Sequence, residues 1–447
     1  MRDRFLWIGC LAYAALFTWL GAVKYAAHRN LVDFGIFTQT VSSAFRCFCN
    51  TIEGSHWAFH FSPILYAAAI LVHLVQSPLT LVALQAIAGA LAAPPIYALV
   101  RVRSDASRAR LAALVVWIYP PLAGLIFGDF HENGFAPAAV AWTLYTFDAG
   151  LLTLSFAGAL VTLSIKEDQA VFLAIGGAIG AWVFRGTARG RVAGTIAAIA
   201  VVAFVAFFAY IRPHATAVSG TQAWEPWRFY AWNGAAAHPW LTEIGARLGF
   251  LLLILVPLLF LPLRSKWMWL AAAPLVEVLL TRMSTTFTLG THYTGAWAGY
   301  LLAAFAFAAR ELAPRPARSA LIACIALCAL EFAVADPLHP GLNLRRVQPR
   351  DAALDQFLQK VPRGADVATQ EEAYTHLALT DPNARLLPES AGVPIRSCFV
   401  LLDRSFPQSP RLEEYGAAFE RLVQTNRYIL VAQQDAAELY LRLGGCR

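Results

Sequence analysis

Charged residues are scarce in this chain. Only 14% of its 447 residues are Asp, Glu, Lys or Arg, whereas 58% are hydrophobic and the mean hydropathy is +0.54. Soluble domains carry about 25% charged residues, so an ordinary cytosolic enzyme is excluded. The apolar residues form runs, such as 5–26 and 192–210, that match the hydrocarbon thickness of a bilayer. We therefore predict an integral membrane protein that crosses the bilayer many times.

Several other signals are missing. The seven cysteines show no zinc-ligand spacing, which leaves a Cys398–Cys446 disulfide as an open alternative near the C-terminus. The first apolar run is too long for the h-region of a cleavable signal peptide. The net charge of +7 sits in short arginine clusters, not on one basic face, so nucleic-acid binding is not expected. Charges that orient the chain in the membrane are the simpler interpretation.

The positive clusters set the predicted topology, because cytoplasmic loops are enriched in Lys and Arg. We place the N-terminus and every cluster in the cytoplasm. Segments 61–76 and 79–100 cannot then both cross, because the arginine cluster at 101–110 would lie outside, so 61–76 is predicted to be re-entrant or interfacial. Eleven crossings remain, and this odd number places the C-terminus outside. The clusters are Arg2 and Arg4; Arg101, Arg103, Arg108 and Arg110; Arg185, Arg189 and Arg191; Arg264 and Lys266; Arg310, Arg315 and Arg318. The eleven predicted crossings are 5–26, 79–100, 111–127, 134–147, 150–165, 169–184, 192–211, 246–263, 267–281, 292–309 and 319–335.

This topology gathers ionisable residues at the outer membrane face. Charges at membrane depth are costly and usually functional, so their shared side is the strongest functional signal in the sequence. The residues are Asp33, His60, Asp129, His131, Glu132, Lys166, Glu167, Asp168 and His292.

Two candidate motifs lie in and after the first outer loop. Residues 31–39 have the spacing of an amphipathic helix on the membrane surface, in which Asp33 is either an interfacial acid or a simple helix cap. Residues 56–63 place His56 and His60 four apart, as in a metal-binding pair. Aromatic residues with polar tips at the interface explain the same segment without a metal.

Three further motifs stand between apolar runs. In Asp129-Phe130-His131-Glu132, the side chains of Asp129 and His131 are expected to lie on one side, and that of Glu132 to point elsewhere. The motif suits proton transfer, metal coordination or orientation of a phosphate. A solvated turn is the alternative. Lys166 could neutralise a phosphate and Glu167 could hold Lys166 or a metal, although a self-compensating turn is the alternative. His292-Tyr293 begins a later crossing and is a candidate ligand-facing pair.

Two other regions differ in composition from the apolar runs. The loop 212–245 carries Trp224, Trp227, Trp232 and Trp240 beside cations, which fits a lipid headgroup or, more simply, an interfacial aromatic belt. From residue 344 the chain is polar, and strands at 365–369, 398–402 and 427–432 alternate with helices at 351–360, 413–424 and 435–443. This order predicts a small parallel α/β layer. It lacks a Gly-rich phosphate loop, so nucleotide binding is not expected.

The ordered motifs resemble a family of bacterial membrane proteins known as domain of unknown function 2079. The matching residues are Asp33-Phe34-Gly35-Ile36-Phe37 with Gln39, His60-Phe61-Ser62-Pro63, Asp129-Phe130-His131, Lys166-Glu167-Asp168, His292-Tyr293-Thr294 and Val400-Leu401-Leu402-Asp403. The first third also resembles GT-C-fold glycosyltransferases such as the protein O-mannosyltransferases and aminoarabinose transferases. Two departures are that the first loop has no Asp-Glu pair directly after the first helix, and that His-Phe-Ser-Pro replaces His-Pro-Pro.

The resemblance implies a mainly α, polytopic, GT-C-like domain over residues 1–343, with a first outer loop at 27–60, and an extracytoplasmic α/β domain over 344–447. It implies transfer of a sugar from a polyprenyl phosphate at the outer face of the inner (plasma) membrane. Asp33 would be the general base, and Lys166, with His131 or a divalent ion, would stabilise the phosphate. Asp129 and Glu132 would orient the histidine or hold the metal. His60, Glu167, His292 and Tyr293 are then expected to contact substrate. A transporter or lipid flippase, and a non-catalytic envelope assembly protein, are the alternatives; the metal and the oligomeric state are left open.

Overall fold

A computed structural model describes residues 3–220, 230, 240–387, 395–406, 419, 423–425 and 427–444. Helices dominate this part of the chain. They are α1 (Arg4–Ala26), α2 (Val32–Ser42), α3 (Ile64–Val75), α4 (Leu79–Ala90), α5 (Ala93–Arg101), α6 (Ala106–Trp117), α7 (Pro120–Phe127), α8 (Ala136–Asp148), α9 (Leu152–Leu163), α10 (Glu167–Val183), α11 (Ala188–Ala206), α12 (Arg212–Ser219), α13 (Trp240–Leu255), α14 (Met268–Leu280), α15 (Thr294–Ala309), α16 (Pro314–Val334), α17 (Pro340–Asn343), α18 (Pro349–Leu358) and α19 (Glu371–Leu377). The protein is therefore mainly helical, as the sequence predicts.

Local sequence explains where several of these helices begin. Asp105 precedes α6 and its side chain accepts a hydrogen bond from the backbone N–H of Arg108 (2.9 Å), as N-cap residues do. Proline stands in the first turn of α7 and α8, where its missing N–H is not needed. Glu167 and Asp168 lie in the first turn of α10, where negative charge complements the helix dipole.

Four helical stretches in the described part of the chain are long and apolar enough to cross a membrane. They are Arg4–Ala26, Leu79–Arg101, Ala188–Ser219 and Pro314–Val334, and a fifth span results if Ala106–Trp117 and Pro120–Phe127, which meet at a 48° bend, are taken together. The protein is thus a membrane protein with several apolar spans. The eleven crossings themselves stay a prediction.

Two predicted crossings are interrupted, and the segment predicted to be re-entrant or interfacial contains only a short helix. Segment 111–127 is broken between α6 and α7. Segment 246–263 is helical only to Leu255 and continues as two short 3₁₀ turns, because Pro257 and Pro262 cannot donate helical hydrogen bonds. Segment 61–76 contains α3, which has 12 residues and so is shorter than the roughly 20 needed to span a bilayer.

The chain divides into two compact units. The first unit comprises Met1–Trp19, Trp57–Ala67 and Val82–His339, and the second comprises Leu20–His56, Ala68–Leu81 and Pro340–Arg447. The C-terminal segment thus shares one unit with most of the first outer loop.

The second unit contains a five-stranded sheet in the order β4-β3-β5-β7-β6 and a two-stranded one, β1-β2. In the larger sheet, β3 runs parallel to β4 and β5, whereas β7 runs antiparallel to β5 and β6. Its buried face packs on residues of α18 and α19, including Phe357 and Tyr374. The strands are β1 (Cys49–Asn50), β2 (Gly54–Ser55), β3 (Val367–Thr369), β4 (Arg385–Leu386), β5 (Phe399–Asp403), β6 (Tyr428–Gln434) and β7 (Ala437–Arg442).

The C-terminal sheet was expected to be parallel, and it is mixed. The helix predicted at 435–443 is wrong, since Ala437–Arg442 forms β7. Asp435 takes a left-handed turn conformation (φ 52°), which reverses the chain after β6 and lets β7 insert between β5 and β6. Pairing on both sides then overrides local helix propensity. The helix predicted at 413–424 and the residue Cys446 lie outside the fully described part of the chain.

Helix α2 was expected to be an amphipathic helix on the membrane surface, but it is buried inside the second unit. Residues Phe34 to Val41 are all buried. Gln39 donates to the carbonyl oxygens of Asp381 (3.3 Å) and Ala384 (2.9 Å), and its Oε1 accepts from the Tyr374 hydroxyl (2.9 Å). Gly35 is required because a Cβ there would lie 2.3 Å from the Tyr374 ring. These two motif residues therefore have a packing role.

Candidate functional site

Four of the family motifs meet in the first unit, each at an end of a helix. Residues 128–135 connect α7 to α8, Lys166 directly precedes α10, His60 lies in the turn before α3, and His292-Tyr293 directly precedes α15. Every residue of α15 is buried, so His292-Tyr293 begins on a fixed scaffold. The sequence separates these motifs widely, and the helix packing brings them together.

Glu132 is the centre of this group. Its side chain is fully buried, with Oε2 2.9 Å from Nδ1 of His131 and Oε1 3.6 Å from Nζ of Lys166. The expectation that Glu132 points away from His131 is therefore wrong. The short 3₁₀ turn Glu132–Phe135 carries the Glu132 side chain inward, because a 3₁₀ turn does not alternate side chains as a strand does.

Glu167 binds His60 and not Lys166. Its Oε1 lies 2.9 Å from Nδ1 of His60, and its Oε2 accepts a hydrogen bond of 2.9 Å from the backbone N–H of Phe61. The side chains of both His60 and Glu167 are largely buried. The His-Phe-Ser-Pro motif is thus fastened to the first turn of α10.

His131 and His292 stack face to face, with ring centroids 3.9 Å apart and planes 8° apart. The ring of Tyr293 lies 4.1 Å from that of His292. Gln85 holds the preceding loop: its Oε1 accepts from the backbone N–H of His131 (2.9 Å), and its Nε2 donates to the carbonyl oxygen of Ile126 (3.1 Å). The loop that carries His131 is therefore fixed from α4.

Burial and charge set the protonation of this group, which lies in loops between helices. Burial, together with the nearby Lys166 cation, lowers the pKa of His131 to about 4. Burial opposes ionisation of Glu132, yet the neighbouring His131 and the Lys166 cation hold its pKa well below the usual range. Burial also opposes the charge on Lys166, but Glu132 and the neighbouring carboxylates raise its pKa. At neutral pH the site thus holds a charged Lys166–Glu132 pair beside a neutral imidazole.

A cavity of about 270 Å³ opens beside Lys166. Its lining combines charged and apolar side chains. The charged or hydroxyl-bearing members include Lys166, Glu167, Asp168, Glu277, Thr281 and Tyr293, and the apolar members include Val171, Phe204, Phe208, Val278 and Met283. Phe204 belongs to the candidate span Ala188–Ser219. The cavity can thus accept a ligand that is polar in one part and apolar in another.

Sequence reasoning missed Glu277, a carboxylate in the cavity wall. It is the one acidic residue of α14, whose other residues from Met268 to Leu280 carry no charge. A lone acid in an apolar helix is a functional signal by itself, and it was available in the sequence. Asp168 was named in its motif, but its position on the cavity wall follows only from the packing of α10 beside α14.

The remaining predicted residues lie elsewhere. Asp33 lies in the first turn of α2, in the second unit, and is not the helix cap, because Leu31 occupies that position. Asp129 is half-buried, and its carbonyl oxygen accepts from Gln85 (3.4 Å). His56 and His60 do not share a helix face, since the 3₁₀ turn ends at Ala58. Trp224, Trp227 and Trp232 lie outside the described residues.

The apolar helical spans define a polytopic membrane protein. The chain belongs to the DUF2079 family, described as predicted membrane proteins, whose family model matches residues 28–439. No curated protein matches the chain.

Two solved structures of ArnT are similar to this chain over almost their whole length. ArnT from Cupriavidus metallidurans bound to undecaprenyl phosphate has a TM-score of 0.54 at 12% identity, covering 97% of this chain and 98% of ArnT. In its apo state the TM-score is 0.57 at 12% identity, with 96% and 98% covered. The Archaeoglobus fulgidus oligosaccharyltransferase in complex with Zn and sulfate is more distant, with a TM-score of 0.40 at 14% identity, covering 88% of this chain and 68% of that one. The expected GT-C fold is confirmed.

Proposed function

We propose that this protein is a membrane glycosyltransferase that takes a sugar from a polyprenyl-phosphate donor at the outer face of the inner (plasma) membrane. The observation that carries the proposal is the 270 Å³ cavity, in which a buried lysine stands beside aromatic and aliphatic side chains. A polyprenyl phosphate needs both, because its headgroup is anionic and its tail is apolar. The ArnT fold, seen with undecaprenyl phosphate bound, supports this class of donor.

Lys166 is the proposed partner of the leaving phosphate. The acceptor oxygen attacks the anomeric carbon, and the bond between that carbon and the phosphate oxygen breaks, so that the phosphate keeps the electron pair. A fixed cation beside the developing charge stabilises the transition state. Glu132 positions the ammonium group, since its Oε1 lies 3.6 Å from Nζ of Lys166. His131, which stacks on His292, contacts the other oxygen of Glu132.

The proton released by the acceptor needs a carboxylate base. Asp33 has this role by family resemblance. Asp168 is the alternative from the geometry, because it lines the cavity itself and its Oδ1 is buried without a hydrogen-bond partner among the described residues. Asp129, His60, Glu167 and Tyr293 are proposed to position the donor, and a divalent ion could assist the same leaving group.

Cysteine chemistry supports an extracytoplasmic second unit. Cys47 and Cys49 form a disulfide, and Cys398 is also disulfide-bonded, while Cys446 lies outside the described residues. Disulfides persist in oxidising compartments. We therefore keep the orientation with a cytoplasmic N-terminus and the region after residue 343 outside.

The function is tested with purified full-length protein in lipid nanodiscs and a panel of radiolabelled polyprenyl-phosphate sugars. We expect release of free polyprenyl phosphate in the presence of envelope acceptor extract, and a loss of about 100-fold or more in rate for Lys166→Met. Lys266→Met, which alters an exposed lysine, is the matched control and should keep the rate. Asp33→Asn and Asp168→Asn are compared to identify the base, with and without a chelator.

Other outcomes would point to the alternative functions. Movement of the intact donor across proteoliposome membranes, with no cleavage of the sugar–phosphate bond, would contradict the proposal and favour a flippase. Full biological activity after neutralising Asp33, Asp129 and Glu167 together would favour a non-catalytic assembly protein.

A further inference from the structure

We propose a transition-metal site of the zinc class in the second unit, formed by His28, Asp355 and His376. The three residues come from distant parts of the chain: His28 follows α1, Asp355 lies on α18 and His376 lies on α19. Their nearest ligand atoms all lie within 4.8 Å of one another. This site is separate from the proposed glycosyltransferase function and does not depend on it.

The distances suit a metal. Oδ1 of Asp355 lies 3.2 Å from Nε2 of His28 and 2.9 Å from Nδ1 of His376. Ligands of a tetrahedral ion with bonds of about 2.0–2.1 Å are separated by about 3.3 Å, which both of these distances approach. The ligand atoms of His28 and His376 lie within 4.8 Å of each other. Two imidazole nitrogens and one carboxylate leave a fourth position for water, as in open zinc sites.

The outer nitrogen of His376 fixes the tautomer of that ring. Nε2 of His376 lies 3.1 Å from the carbonyl oxygen of Tyr25. A carbonyl oxygen only accepts, so this nitrogen carries a hydrogen, and in the neutral ring Nδ1 holds the lone pair that faces Asp355. Metal-ligating histidines show this pattern, with the other N–H donated to a carbonyl oxygen. His28 has a carbonyl oxygen near each ring nitrogen, that of Glu372 3.1 Å from Nδ1 and that of Asp351 3.3 Å from Nε2.

The two imidazole rings face the same carboxylate, that of Asp355. The rings are stacked, with centroids 3.7 Å apart and planes 13° apart. Binding of one ion therefore requires the rings to turn until a lone pair of each points at it.

The surroundings permit metal entry and retention. The His28 and His376 side chains are buried, at 0% and 6% exposure, whereas Asp355 is 46% exposed and reaches solvent. A set of two imidazoles and one carboxylate favours zinc, cobalt, nickel or copper over magnesium and calcium, which prefer oxygen ligands. We therefore expect Zn²⁺ to bind and Mg²⁺ not to compete.

The test uses full-length detergent-solubilised protein carrying a tag without histidine. After chelation and desalting, Zn²⁺ titration calorimetry and metal analysis should give one tight equivalent per chain. Asp355→Asn and His376→Gln should weaken that equivalent by about 100-fold or more, because loss of even a residue that only hydrogen-bonds to a metal ligand costs about 10–100-fold in affinity. His73→Ala is the control, since His73 is exposed and its Nδ1 contacts only the carbonyl oxygen of Ala69 on its own helix.

A second measurement uses the wild-type chain, so that the proposal can be tested even if the variants fail to fold. Co²⁺ added to the wild-type chain should give the intense visible bands of a four-coordinate site, and X-ray absorption of the zinc form should show two imidazole ligands. The proposal is overturned if the wild-type chain takes up no tight equivalent, if its zinc lacks imidazole ligands, or if a folded Asp355→Asn variant binds zinc as tightly as the wild type.

Discussion

Nζ of Lys166 lies 3.6 Å from Oε1 of the fully buried Glu132. The two residues belong to different sequence motifs, and their pairing explains why both can remain charged although little of either side chain is exposed. Removing one member of a buried pair leaves the other uncompensated, which costs more than the pair itself contributes. The pair is therefore expected to affect both the stability of the protein and the proposed chemistry.

Neutralising Glu132 should destabilise the first unit. We expect Glu132→Gln to lower the free energy of unfolding by about 3–5 kcal/mol, because Lys166 would then be buried without its counter-charge. Thermal unfolding in detergent, followed by intrinsic fluorescence, measures the change. The double variant Glu132→Gln with Lys166→Met should be more stable than Glu132→Gln alone. Equal melting temperatures for the two would show that the charges do not interact.

A methyl group at Gly35 should disturb the second unit. A Cβ at this position would lie 2.3 Å from the Tyr374 ring, and overpacking typically costs about 1–3 kcal/mol. We expect Gly35→Ala to lower the melting temperature and Tyr374→Leu to restore part of the loss when combined with it. If the two losses simply add, the contact between α2 and α19 is not the cause.

Stability should depend on pH through Asp381. Burial raises the pKa of this carboxyl from 3.8 to about 6. As the pH rises from about 4 to 6, the unfolded chain loses this proton before the folded chain does, so folding becomes less favourable and the full penalty remains above about pH 6.

Asp381→Asn should remove that penalty. We expect the variant to be more stable than the wild type by about 1–2 kcal/mol at pH 7.5, after allowing for partial solvation, and by almost nothing at pH 4. Chemical unfolding curves at the two pH values measure the difference. A gain of the same size at both would assign the effect to packing and not to ionisation.

The Cys47–Cys49 disulfide offers a test of sidedness. In spheroplasts, a membrane-impermeant maleimide should label these cysteines from outside only after mild reduction, since Cys47 is exposed and an outer disulfide is oxidised until then. The Cys47→Ser/Cys49→Ser variant should lose that part of the labelling. Labelling that requires lysis of the spheroplasts would reverse the proposed orientation.

The sequence predicts the membrane class and the site motifs because these depend on local composition. Apolar length gives the spans, and the costs of charge at membrane depth single out His60, His131, Lys166 and Glu167, which do come together. The sequence does not show which of these residues pair with each other. Glu167 was expected to hold Lys166, but Glu132 does so, because partner choice depends on how α8 and α10 are rotated in the packed bundle.

Long-range contacts account for the other differences. Ala437–Arg442 resembles a helix locally and becomes a strand only because β5 and β6 offer edges on both sides. No sequence spacing links His28 to His376, because the turn after α1 and the helix α19 are far apart in the chain. Gln39 and Gly35 were grouped with Asp33 as one motif, although the first two pack α2 and only Asp33 is left for chemistry.

The discontinuous second unit has a consequence for biogenesis. Its early segments, Leu20–His56 and Ala68–Leu81, are synthesised long before Pro340–Arg447, which supplies most of their partners. At about 5–20 residues per second, α2 waits on the order of tens of seconds with Phe34, Ile36 and Phe37 uncovered. During that interval the growing chain needs protection from aggregation or proteolysis, so truncated products that stop before α18 should be short-lived in the cell.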